Sequence, residues 1–237
     1  MESLKKSEPA FEPFHTAFDF SKYQNDYEIG RTRIIEKLVP EGHGGLAVDV
    51  GCGPGYFSRL LTARGWKTTA IDTDADNIES ARDHADETHL GSASAVFKNF
   101  RENQFDLVVA LEIIEHMPKA RGETLIHEFM RTLKPGGKLI LSTPNRFSPE
   151  GLWGYYWGEK IRNKKWDAWD ETHVHIYSSA EIIRLLETSG FMVDAIMGYY
   201  YEGGLPFGKR WRLPFTMSTR FPFNRLGFNI VLECHKK

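Results

Sequence analysis

Three groups of residues in this 237-residue chain combine types and spacings that could do chemistry. The first is Val48-Asp-Val-Gly-Cys-Gly-Pro-Gly-Tyr-Phe57, with glycines at Gly51, Gly53 and Gly55 between an apolar run and an amphipathic one. Such glycines let a backbone turn tightly and approach a ligand with no Cβ in the way. Their G-x-G-x-G spacing is not the G-x-G-x-x-G of dinucleotide sites. A pyrophosphate needs a helix N-terminus as its seat, whereas this loop suits an amino-acid moiety held by close backbone contacts. Asp72 stands 21 residues past Gly51, at the end of a second apolar run, where an acid accepts hydrogen bonds from both hydroxyls of a ribose. Alone, the loop is equally a plain strand–helix turn.

The second group is Glu115-His116. Histidine titrates near neutrality, so His116 could take a proton from a hydroxyl or an amine; its other reading is a hydrogen bond that caps its own loop. The third is Asp170-Glu-Thr-His-Val-His-Ile-Tyr177. If extended, it would present His173 and His175 on one side. Asp170 or Glu171 could complete a metal set, but two histidines more often pack and hydrogen-bond, and no metal is expected.

These residues need a scaffold. Short apolar runs alternate with amphipathic stretches, the pattern of a parallel sheet covered on both faces by helices. Strands are expected at Leu46–Val50, Thr68–Ile71, Ser94–Phe97, Phe105–Leu111, Lys138–Thr143, Phe191–Met197 and Phe228–Cys234. Helices are expected at Asp26–Leu38, Tyr56–Arg64, from Asp74 as an N-cap, around Glu123–Leu133, and from Ser178 to Thr188. Lys134-Pro-Gly-Gly137 stops one of these, and Ser178-x-x-Glu181 reads as a capping box opening another.

Two segments interrupt the alternation, 146–172 and 199–223. The first holds four of the six tryptophans and follows a strand end, where open α/β sheets place ligands. Three readings stay open for it. It forms a core or lid cluster, or it lines an acceptor pocket with Trp153, Tyr156 and Trp157. Alternatively 153–166 touches a membrane surface, since Lys160, Arg162, Lys164 and Lys165 sit among its aromatics.

Hydrophobic residues at 41% and charged residues at 26% fit one globular domain, with a helical segment over 1–40 and the two aromatic insertions. A net charge of −2 and the lack of a nucleic-acid module argue against a nucleic-acid partner. Two distant cysteines, Cys52 and Cys234, suggest neither disulfides nor a zinc site. The first residues carry no secretory h-region and no apolar run approaches the ~20 residues of a membrane span, so a cytoplasmic location is expected. Oligomeric state is not legible.

Taken together, Val48-Asp-Val-Gly-Cys-Gly-Pro-Gly55, Ala70-Ile-Asp72, Phe105-Asp-Leu-Val108, Glu112-Ile-Ile-Glu-His116, Leu133-Lys-Pro-Gly-Gly137 and Ser142-Thr-Pro-Asn145 resemble the class I S-adenosylmethionine-dependent methyltransferases. The resemblance covers roughly 30–195 and is strongest to the ubiquinone-biosynthesis O-methyltransferase-like group. It implies a Rossmann-like, doubly wound, seven-stranded α/β sheet, mostly parallel with an antiparallel last strand. It also implies S-adenosylmethionine as cofactor, released as S-adenosylhomocysteine. By the same likeness Gly51, Gly53 and Gly55 meet the methionine part, Asp72 the ribose, and the Leu111 backbone the amino-acid end, with Asp49 inside the loop motif joining them. Arg31 falls where relatives carry an arginine for the methionine carboxylate; its other reading is a solvated helix charge. The acid that usually reads the adenine amine is missing, leaving Asn99, or stacking by Phe97 or Phe100. Glu115, His116 and His173 border the acceptor. The implied activity is methylation of a small molecule, most naturally at a hydroxyl of an aromatic or quinone-like metabolite. A sugar or lipid-linked glycan acceptor, a non-catalytic cofactor-binding regulator and a nicotinamide oxidoreductase are the competing readings.

Overall fold

The computed structural model of the chain describes residues 26–161, 163, 168, 170–199, 202–204, 210–212 and 217–237. Helix α1 (Asp26–Leu38) leads to β1 (Leu46–Val50), and strands and helices then alternate: α2 (Tyr56–Ala63), β2 (Lys67–Asp72), α3 (Ala75–Ala81), β3 (Glu87–Leu90), α4 (Ala93–Val96), β4 (Phe105–Leu111), α5 (Lys119–Thr132) and β5 (Leu133–Pro144). Beyond them come α6 (Pro149–Trp153), α7 (Ser179–Thr188), β6 (Phe191–Tyr199), three short strands β7 (Glu202–Gly204), β8 (Arg210–Arg212) and β9 (Met217–Ser218), and finally β10 (Asn229–Lys236).

The main sheet runs β3-β2-β1-β4-β5-β10-β6-β9, and β10 lies antiparallel between β5 and β6. Side chains of successive strand residues point to opposite faces, and both faces are buried. Ala47, Leu107, Val109 and Ile140 pack under α1 and α2 through Ile34, Ile35, Phe57 and Leu61. Val48, Val108, Leu139 and Leu141 pack on the other side under α5 and α7 through Leu125, Phe129, Ile182 and Leu186. This is the expected doubly wound α/β architecture.

Among the described residues the main sheet has eight strands rather than seven. The extra one, β9, is only two residues long and adds antiparallel to the β6 edge at Gly198 and Tyr199. Two residues are too few to leave an alternating pattern in the sequence. The third strand also lies earlier than expected. Glu87–Leu90 pairs with β2, while Ala93–Val96 is helical and continues as a 3₁₀ turn through Asn99. Val96 and Phe97 are buried as they would be in a strand, so hydrophobicity alone could not distinguish the two.

Helix starts follow the expected chemistry. The Asp74 carboxylate accepts from Asp76 N (2.8 Å) and Asn77 N (3.3 Å). Ser178 Oγ accepts from Glu181 N (3.1 Å), but the Glu181 carboxylate turns to Lys119 and His175 instead of closing the capping box.

Candidate active site

Strand order reverses between β1 and β4, which in an open α/β sheet leaves a crevice at the C-terminal strand ends. A cavity of about 810 Å³ opens there. Gly51, Gly53 and Asp72 line it from the ends of β1 and β2, Leu111 from the end of β4, Glu112, Ile113, His116 and Met117 from the turn beyond, and Arg121 from α5.

The loop and Asp72 form one hydrogen-bonded piece. Gly51 N and Cys52 N both donate to Ile71 O, at 2.8 and 3.0 Å, and Gly53 N donates to Asp72 Oδ2 at 2.8 Å. Asp72 Oδ1 accepts from Asp74 N at 2.9 Å. At Gly51 (φ +68°) a Cβ would lie 1.9 Å from Ile113 Cδ1, so the cavity wall closes directly on bare backbone. Gly55 works differently. It caps α2 at φ +95°, and a Cβ there would come within 2.9 Å of Ala81 Cα. Gly55 packs α2 against α3 and does not line the cavity.

Asp49 sits beneath the loop, 2% exposed, and accepts from Ser58 Oγ at 2.7 Å. Burial pushes its carboxyl up to about 7; the Ser58 hydrogen bonds oppose this, and the Asp72 charge adds to it. Asp49 supports the loop from below and is not part of the cavity wall.

On the other side of the crevice, Glu112 follows β4 with φ +55°, a conformation a side-chain-bearing residue rarely adopts. Its carboxylate accepts from Ser142 Oγ (2.5 Å) and Asn229 Nδ2 (2.7 Å), which fixes it to β5 and β10. Glu115 is fully buried. Oε2 accepts from Thr143 Oγ1 at 3.1 Å, while Oε1 has no hydrogen-bond partner among the described residues. Burial raises its pKa well above the usual carboxyl range and the Glu112 charge adds to this, opposed by its hydrogen bonds and by Arg31. The Glu115 carbonyl also accepts from Val174 N (2.8 Å) and His175 N (3.0 Å), tying the 170–177 segment to the crevice.

That tether brings His116 and His173 together, with ring centroids 4.8 Å apart. Thr172 Oγ1 lies 2.9 Å from His116 Nδ1 and donates to Asp170 Oδ1 at 2.6 Å. Donor atoms of Glu115, His116 and His173 all fall within 4.8 Å of one another. Of the three, Glu115 and His173 are buried and His116 is exposed.

His175 does not join them. Residues 170–178 are not a regular strand, and His175 turns to Glu181 (3.4 Å) and stacks edge-on to Tyr177. Arg31 is buried on α1, not solvated, and its charge reaches Glu115; it is not on the cavity wall. Leu111 is on the wall; Asn99 is exposed and is not. Phe97 and Phe100 are committed to the core, packed edge-on to Phe129 and Phe105, so neither offers a stacking face to the cavity. In their place the wall carries Gly91, Ser92 and Ala93.

The aromatic insertion begins as α6, capped by Ser148 Oγ on Gly151 N (2.9 Å), and widens into a π-helical stretch over Gly154–Ile161. Trp153 is half-buried and Tyr156 is 59% exposed; neither lines the cavity. The Trp157 side chain, Arg162, Lys164, Lys165, Trp166, Trp169 and much of 199–223 lie outside the described residues. No described helix is long and apolar enough to cross a membrane. Sequence reasoning missed Glu112, Thr172 and Arg121 as site residues. Glu112 was visible inside Glu112-Ile-Ile-Glu-His116, but nothing in the sequence announces its positive φ.

A methyltransferase-domain family matches residues 22–196. A ubiquinone biosynthesis O-methyltransferase from Rickettsia bellii is 32% identical over 166 residues, covering 65% of this chain and 65% of that protein. One from Psychrobacter arcticus is 28% identical over 194 residues, 78% of this chain and 73% of that protein. The chain thus spans just under two thirds of the length of the Rickettsia bellii relative. Among solved structures, a SAM-dependent methyltransferase from Thermotoga maritima superposes with TM-score 0.64 at 20% identity, covering 92% of each chain. One from Archaeoglobus fulgidus gives 0.65 at 18%, covering 92% of this chain and 97% of that one.

Proposed function

The chain belongs to the methyltransferase-domain family, and on that premise we propose that it methylates a hydroxyl on a small aromatic or quinone-like acceptor. The observation that carries this reading is that Gly51, Gly53, Asp72 and His116 line one cavity. Its likeness to ubiquinone biosynthesis O-methyltransferases points to the same acceptor class.

The methyl donor is S-adenosylmethionine, which supplies an electrophilic methyl on a sulfonium. The cavity fits it: bare glycine backbone on one wall, a strand-end carboxylate beside it, and small residues at 91–93. Asp72 accepts the two ribose hydroxyls, and Gly51, Gly53 and the Leu111 backbone hold the amino-acid end. Gly91, Ser92 and Ala93 border the adenine. Methyl transfer is an in-line displacement, so the rigid loop contributes by orientation. As the acceptor oxygen gains the methyl, its proton passes to His116. Glu115 and His173 border His116, and Arg31 balances the Glu115 charge. Trp153 at the end of α6 and the exposed Tyr156 just beyond it would meet only a part of the acceptor that projects out of the cavity.

The test is transfer of labelled methyl from S-adenosylmethionine to a panel of catechols, sugars and amines by the purified chain. Catechol labelling, reduced about 10²- to 10³-fold by His116→Gln with cofactor affinity kept, supports the reading. Labelling of the sugars or amines alone overturns it. Cofactor binding with no labelling of any acceptor favours a regulatory protein.

A further inference from the structure

His116 lines the cavity with one of its two ring nitrogens held by Thr172. The atoms around it decide which of its nitrogens bears the proton. Thr172 Oγ1 is 2.6 Å from Asp170 Oδ1 and 2.9 Å from His116 Nδ1, and it has one hydrogen to give. An ionised carboxylate only accepts, so at this distance the Thr172 hydrogen belongs to Asp170. The Asp170 carboxyl is held below the usual range, first by the hydrogen bond from Thr172. Asp170 Oδ1 also accepts from Thr172 N at 2.8 Å, which sets the hydroxyl's orientation through the same short turn. Thr172 Oγ1 can then only accept from His116.

We propose that Asp170 and Thr172 are positioning residues that hold neutral His116 in its Nδ1–H form, leaving the Nε2 lone pair as the site that takes the acceptor's proton. This rests on the reading of His116 as the base. The two nitrogens are not interchangeable: with the proton on Nε2 instead, the lone pair would face Thr172, which has no hydrogen left to donate. Among the described residues, Thr172 Oγ1 is the hydrogen-bond partner of Nδ1. Glu115 engages Thr143 through Oε2, and Glu112 is spent on Ser142 and Asn229. The His173 ring lies tilted at 57° beside His116, with its Nε2 3.8 Å from Asp170. Nε2 of His116 makes no hydrogen bond among the described residues. In both the neutral and protonated states Nδ1 keeps its hydrogen, so the proton handled during turnover is always the one on Nε2.

This assignment gives Asp170-x-Thr172 a function. The two residues lie some 55 positions beyond His116 in the chain and reach it because the Glu115 carbonyl anchors the 174–175 backbone.

The experiment is long-range proton–nitrogen NMR of the histidine rings in the full, nitrogen-15-labelled chain with S-adenosylhomocysteine added. The His116 signals are assigned by their loss in His116→Gln. The expected result is a protonated Nδ1 and an unprotonated Nε2 in the neutral ring. Thr172→Val should move the ring toward the Nε2–H form, and Thr172→Ser should restore the native pattern. On catechol, Thr172→Val should lower kcat on the order of 10-fold or more, with KM for the methyl donor unchanged, and the serine variant should recover it. A native ring carrying its hydrogen on Nε2, or an unchanged pattern in a folded Thr172→Val variant, overturns the proposal. If the tautomer responds as expected while His116→Gln still methylates catechol at the native rate, the positioning chain stands and the base assignment falls.

Discussion

The two walls of the crevice are built by opposite means. The wall at β1 and β2 is local: Gly51, Cys52 and Gly53 bond to Ile71 and Asp72 within about 20 residues, and Gly55 locks the following helix onto α3. The wall at β4 is assembled from distant pieces. Glu112 is held by β5 and β10, Glu115 by Thr143, and His116 by Thr172. A local wall can serve one cofactor in many proteins without change. A wall made of distant contacts can be rebuilt for a new acceptor by altering loops the cofactor never touches.

The largest effect expected on this comparison is at the local wall. Asp72→Ala removes two charge-assisted hydrogen bonds to ribose, each worth about 1.5–3 kcal/mol. Calorimetry should show affinity for S-adenosylhomocysteine falling at least about 100-fold, and an affinity within threefold of native would remove Asp72 from the cofactor site. Next comes the buried support beneath that wall. Because the folded-state pKa of Asp49 is raised to about 7, the native state holds a proton the unfolded chain has released, and stability falls as pH rises from the unfolded value toward 7. That slope amounts to about 2 kcal/mol between pH 5 and pH 7. Denaturant titrations of Asp49→Asn should show it flattened, and an unchanged slope would mean Asp49 is ionised in the fold. Glu115 contributes with the same sign and remains in the variant.

A smaller change is expected at Gly55. Alanine there meets a left-handed conformation costing about 1–2 kcal/mol and a contact with Ala81. Thermal unfolding should show the loss, while cofactor affinity in the folded fraction stays near native; a larger loss of affinity than of stability would put Gly55 in direct contact with the ligand. The smallest effect is at the exposed Tyr156, where alanine should change stability by less than about 0.5 kcal/mol. Its influence, if it contacts the acceptor, will appear only in the acceptor's KM, and an unchanged KM would keep the acceptor within the cavity, away from Tyr156.

The same division explains what could be read from the residues beforehand. Gly51, Gly53 and Asp72 were legible because the chemistry and the spacing lie in one strand–loop–helix–strand stretch. Helix starts at Asp74 and Ser178 were legible for the same reason, as local hydrogen bonds. The third strand was misplaced because Val96 and Phe97 bury equally well from a helix. The pairing of His173 with His116, and not with His175, could not be read, because it depends on the distant Glu115 carbonyl, which accepts from Val174 N and His175 N, and not on alternation. Stacking by Phe97 or Phe100 was ruled out only by the core they fill. For Arg31 the sequence left a carboxylate-binding and a solvated reading open, and its burial on α1 removes the second.

The position of β10 has a consequence for how the protein is made. It is late in the chain, yet it lies between β5 and β6, and its first residue, Asn229, anchors Glu112. As the chain leaves the ribosome, β1 to β5 can pair in order, and the glycine loop with Asp72 can settle while synthesis continues. β6 must wait unpaired, and so must the anchoring of Glu112. The half of the crevice built on the glycine loop can therefore mature first, and the half that Asn229 anchors is completed only after β10 has followed β6.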